Sequence, residues 1–99
     1  MFLYSCEKPK KVVPAMIYLD GFAAFTLHYT TEIDGEETFY TKEINLRGTY
    51  PPKDSIVLQV DEGYLSNISA VDLEYSGNNG LKVSYILNGE EVLIKRYNK

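Results

Sequence analysis

Two side chains in this sequence could do chemistry on their own, His28 and Cys6, and the chain holds one of each type. A lone imidazole excludes any mechanism that needs two histidines, and most metal centres. A general base also needs an orienting carboxylate, or a nucleophile within hydrogen-bond reach. His28 lies between Thr26 and Thr30 in a run of alternating apolar and polar residues. That places it on the polar face of a strand. A hairpin would set Thr41 or a near neighbour opposite it, and a threonine is a weak partner. His28 therefore reads as a surface histidine, and no catalytic site is expected.

Cys6 poses a question of compartment. Leu3-Tyr4-Ser5-Cys6 has the spacing of a lipobox, in which a small residue precedes the cysteine that receives lipid. Tyr4 is bulky for its place, and residues 1–5 lack the basic start and longer apolar core of an export signal. As written, the chain reads as cytoplasmic. A start upstream of Met1 would make it a bacterial envelope lipoprotein held to the membrane through Cys6. A single cysteine forms no internal disulfide, which suits a reducing cytosol and a lipidated mature chain equally.

Other candidate motifs are weak. Asp34-Gly35-Glu36-Glu37 has the acidity of a calcium loop without its alternating ligands or closing glutamate, and a hairpin tip accounts for it. Asn67-Ile68-Ser69 is a glycosylation triplet of a kind that arises often by chance. Phosphate loops, dinucleotide glycine patterns and nucleophile elbows are all missing. No cofactor or metal is expected.

The net charge of −4 opposes nucleic-acid binding, which relies on a basic surface that releases counterions. Acidic residues occur in scattered pairs, Glu36-Glu37, Asp61-Glu62 and Glu90-Glu91, as on a solvated surface. Ninety-nine residues make one domain with a core of its own. No apolar run approaches the roughly 20 residues of a membrane-spanning helix.

The elements that must position these residues are strands. Asp20-Gly21, Asp34-Gly35 and Asn88-Gly89 are turn pairs that take positive φ easily, and Ser76-Gly77-Asn78-Asn79-Gly80 is a longer turn. Period-two alternation between them predicts seven strands, near 12–19, 22–33, 37–46, 55–60, 68–75, 81–87 and 91–97. Residues 1–11 form a polar tether ahead of a single all-β domain over 12–99. Pro14, which has no N–H to donate, assigns the first strand to a sheet edge. Expected inward residues include Leu27, Tyr40, Ile44, Leu58, Val71, Leu73, Val83, Val92 and Ile94. Tyrosines recur about once per strand, each ring expected in the core with its hydroxyl at the rim. Residues 33–37 echo 87–91, which reads as convergence on a good turn.

The strand count and spacing predict a small β-sandwich of immunoglobulin-like size, with a meandering barrel as the alternative. Two features qualify the immunoglobulin comparison. The Asp34-Gly35 turn should keep the second and third strands in one sheet, and the Cys-Trp-Cys core pattern is missing.

Two surface patches suggest recognition. Tyr50, Pro51 and Pro52 lie in a rigid loop that reads first as a cap on the sandwich end and second as a contact site. Phe39, Val57, Ile86 and Leu93 fall opposite the main alternation, and Ile86 with Leu93 should cluster across a hairpin. The function expected is a non-enzymatic module that binds another protein, with membrane contact only through a lipid on Cys6. The alternative is a small intracellular inhibitor or immunity-type protein with an acidic, tyrosine-rich surface. The oligomeric state stays open.

Overall fold

The computed structural model describes residues 11–75 and 80–97. The 1–10 part of the tether, Cys6 and most of the 76–80 turn lie outside the described residues. Seven strands form: β1 (Val12–Asp20), β2 (Ala23–Ile33), β3 (Glu36–Asn45), β4 (Lys53–Asp61), β5 (Ser69–Tyr75), β6 (Leu81–Leu87) and β7 (Glu90–Tyr97). They make two antiparallel sheets, ordered β4-β1-β6-β7 and β3-β2-β5, and neither closes into a barrel. An immunoglobulin constant domain groups strands 1-2-5-4 and 3-6-7. Here β2 and β3 share a sheet, so the likeness stops at size.

The alternation in the sequence sets which side chains face the core. Val13, Ala15, Ile17 and Leu19 of β1 pack against Ala23, Phe25, Leu27 and Tyr29 of β2 within one cluster. Leu58, Val83 and Tyr85 complete the same core. Asp34-Gly35 and Asn88-Gly89 carry positive φ at both turn residues, as the tightest hairpins require.

Asp20-Gly21 behaves differently from the expectation. Its flanking strands, β1 and β2, belong to different sheets, so the pair turns a corner between sheets. Gly21 has φ +147°, and a Cβ there would lie 2.1 Å from the Gly80 carbonyl oxygen. The close approach of two backbones, more than a tight turn, demands glycine.

The assignment of β1 to an edge is overturned, because it lies between β4 and β6. Pairing with β6 begins only at Ala15 opposite Leu87. The Pro14 carbonyl accepts the Asn88 N–H at 2.8 Å, and its nitrogen points the same way, past the end of β6. No ladder donor is lost there.

Two bulges shift the inward face. In β5, Thr26 pairs with Val71 but Ala24 pairs with Glu74, and Asp72 takes φ 57° between them. Ile68 and Ala70 are therefore buried and Val71 is exposed, while Leu73 packs against the core only in part. In β7, Tyr85 pairs with Leu93 and Ile86 with Glu91, leaving Val92 as the extra residue. Leu93 and Tyr97 consequently turn inward, and Val92 and Ile94 are exposed, the reverse of the expectation.

The tyrosines also divide. Tyr29 and Tyr85 are buried, but Tyr40 is exposed and Tyr50 has 92% of its surface free. The side chain of Tyr75 lies outside the described residues.

Side chains join the two sheets along one side. Tyr97 Oη on β7 accepts the Ala70 N–H at 3.2 Å, and Lys95 Nζ donates to the Ile68 carbonyl. Both bonds satisfy backbone groups at the start of β5, one within it and one just before it. Further along β2, Ser66 stands in for a strand residue. Its hydroxyl accepts the Thr30 N–H at 3.0 Å and donates to the Thr30 carbonyl at 2.6 Å. Buried Asp61 anchors the β2–β3 turn by accepting the N–H groups of Asp34 at 2.7 Å and Gly35 at 3.0 Å.

Candidate functional site

His28 pairs with Thr41 across β2 and β3, as expected, and its Nδ1 lies 3.0 Å from Thr41 Oγ1. Ser69 of β5 flanks it on the other side. These residues, with Phe39 and Asn67, line a hollow of about 160 Å³ on the outer face of the three-stranded sheet. Its partner is a neutral hydroxyl, where a general base would use an orienting carboxylate. Among the described residues, no group of three or more His, Cys, Asp or Glu side chains could hold a metal ion.

The outer face of the four-stranded sheet carries a different constellation. Register sets its residues in rows across the strands. Val57, Met16 and Ile86 form one row, and Ser55, Tyr18, Ser84 and Ile94 form the next. A third row is charged, Lys53, Asp20, Lys82 and Arg96. All three rows follow from alternation, because Ile17, Leu19, Val83 and Tyr85 between them point into the core. Val57 has 69% of its surface free, and Ile94 is exposed as well. Ser84, flanked in register by Tyr18 and Ile94, is only 1% exposed despite facing outward. Its hydroxyl has no partner among the described residues.

The sequence had anticipated two members of this face, Val57 and Ile86. Leu93 leaves it because of the β7 bulge, and Ile94 takes its place. Met16 went unremarked, and Tyr18, expected in the core with the other tyrosines, faces outward instead, because strand order brings β1 between β4 and β6 with Ile17 and Leu19 turned inward. A central position for β1 was hidden by Pro14. Phe39 belongs to the other sheet and is 74% exposed there.

The Tyr50-Pro51-Pro52 loop meets the charged row. Pro52 accepts the Gly21 N–H at 3.0 Å, and it lines a depression of about 370 Å³ with Asp20, Phe22, Lys82 and Arg96. The Tyr50–Pro51 peptide is cis, and the Tyr50 ring projects into solvent and does not cap the core. Loop and sheet face thus adjoin at one end of the sandwich. Cys6, the candidate lipid site, lies outside the described residues.

Three tyrosines tie this architecture together, two through their hydroxyls and one through its ring. Tyr85 Oη donates to the Tyr64 carbonyl at 2.9 Å, and burial pushes its pKa up to about 12. Tyr64 Oη donates to Glu37 at 2.9 Å and contacts Thr30 Oγ1; burial foremost raises its pKa too. Tyr29 stacks on Tyr40 with ring centroids 5.1 Å apart, and burial likewise raises its pKa. These groups are held neutral, in structural roles.

No family model, curated protein or solved structure matches this chain.

Proposed function

We propose that this protein is a recognition module that binds another protein through the outer face of its four-stranded sheet. The observation that carries this reading is the apolar centre formed in register by Val57, Met16, Ile86, Tyr18 and Ile94, drawn from all four strands of the sheet. Solvated sheet faces usually alternate to polar residues. A contiguous apolar centre with a polar rim is the ordinary anatomy of an interface. The rim supplies the partner's chemistry. Lys53, Lys82 and Arg96 against a single Asp20 make this end cationic on an otherwise acidic chain. The partner is therefore a protein with an apolar strip bordered by carboxylates. Tyr50, held out by the adjoining proline loop, would extend the contact.

A photo-crosslinking amino acid placed at Val57 tests the reading in cells of the source organism. The expected result is one discrete protein adduct, lost when Ile86→Lys puts a charge in the apolar centre. Absence of an adduct, or the same adducts from a probe at Glu43 on the other sheet, overturns it.

A further inference from the structure

We infer that the free edge of β3 is a self-association site, at which two copies pair antiparallel across a two-fold axis through Phe39. This goes beyond the recognition face, which lies on the other sheet. β3 ends the order β3-β2-β5, so one side of its backbone has no strand beside it among the described residues. The Leu46 N–H donates to the Ala23 carbonyl at 2.9 Å, so even-numbered residues of this strand bond to β2. The N–H and C=O groups of Glu37, Phe39, Thr41 and Glu43 therefore point outward along the open edge.

Side-chain pairing selects the register. A two-fold axis perpendicular to the sheet keeps each face on its own side. With the axis at Phe39, the two Phe39 residues meet, Thr38 opposes Tyr40, and Glu37 opposes Thr41. Glu36 then opposes Lys42, twice by symmetry. Moving the axis to Tyr40 would set Glu37 against Glu43, a like-charge clash. Moving it to Thr38 would set Glu36 against Tyr40 and Glu37 against Phe39. Only the Phe39 axis pairs opposite charges and aromatic rings together.

The same register explains an odd feature of the strand. Lys42 opposes Leu27 and so projects on the core side of the sheet, yet it is exposed, as is Tyr40 beside it. β3 overhangs the facing sheet, whose edge strand β4 approaches β2 instead. In the pair, two overhanging β3 strands would cover each other's flanks. The two β4 strands would stay about 14 Å apart, three strand spacings, and so would not collide. The β4 edge is a poorer candidate, because the Ser55 N–H already donates to Asp54 Oδ1 at 2.8 Å.

Sedimentation equilibrium on the full chain, with each variant checked by circular dichroism, tests the inference. The wild-type chain should form a dimer, and Lys42→Glu should weaken it about tenfold, since two attractive pairs become repulsive. Combining Glu36→Lys with Lys42→Glu should restore association. In a Cys6→Ser background, Phe39→Cys should cross-link to itself under mild oxidation. A wild-type chain that stays monomeric to millimolar concentration overturns the inference. So does a dimer that ignores both charge changes and gives no Phe39→Cys cross-link.

Discussion

At Gly21 a single hydrogen atom decides whether two backbones fit. Any Cβ would enter the Gly80 carbonyl, and the φ of +147° is one that other residues rarely adopt. Gly21→Ala should therefore cost more than about 2 kcal/mol, combining backbone strain with overlap. Urea denaturation measures this directly. The Gly35→Ala change, with open space around its Cβ, should cost less, because it carries strain alone. Tyr85 makes stability fall at alkaline pH. Its folded pKa of about 12 exceeds the unfolded value of 10, so the folded state retains the proton longer. That contribution is complete below pH 10 and is lost as pH rises toward 12, with a slope of up to about 1.4 kcal/mol per pH unit. The urea midpoint should fall across this window, and Tyr85→Phe should flatten the fall.

At the scale of strands, two extra residues govern what the sequence could and could not say. Alternation read β4 and β6 correctly, and β2 as far as Tyr29, because each keeps one phase there; beyond it Thr30 is buried and Ile33 exposed, the reverse of the expectation. Leu27, Leu58 and Val83 consequently lie in the core as expected. In β5 and β7 a bulge changes the phase part-way, at Asp72 and Val92. Neither is marked by glycine, the residue whose positive φ usually betrays such a place. Alternation continued through them reverses inside and outside, which is how Val71, Val92, Ile94 and Leu93 were misplaced. The candidate recognition face was half readable for the same reason, with Val57 and Ile86 on unbroken strands and Ile94 beyond a bulge. Strand order supplied the remainder, and no local pattern encodes it. The bulge has an energetic signature as well. Leu73, partly exposed just after Asp72, should lose about 1–2 kcal/mol on truncation to alanine, whereas Leu27 should lose about 2–5. Equal losses in chemical denaturation would show that the β5 bulge does not loosen its neighbour.

The whole molecule is asymmetric in how its two sheets meet. On the β5–β7 side, Tyr97 and Lys95 bridge the sheets, while on the other side β3 overhangs with charged and aromatic side chains exposed. A β3-to-β3 pair would make one continuous six-stranded sheet with both four-stranded sheets on the same side of it. Both recognition faces would then point in one direction. Such a dimer could engage two copies of a partner arrayed on a surface, where linked sites gain avidity without new contacts.

The central place of β1 has a consequence for how the chain is made. On a ribosome, residues 12–20 emerge before either of their two neighbours, 53–61 and 81–87. The β2–β3 hairpin can close as soon as residue 45 is free, being local and tipped by Asp34-Gly35. Its anchor, Asp61, comes later, and β5 later still. From the emergence of β1 until residue 87 appears, the apolar row Val13, Ala15, Ile17 and Leu19 has no complete sheet to join. Most contacts of this fold span long stretches of chain, so translation outruns structure, and β6 is what releases β1 from waiting.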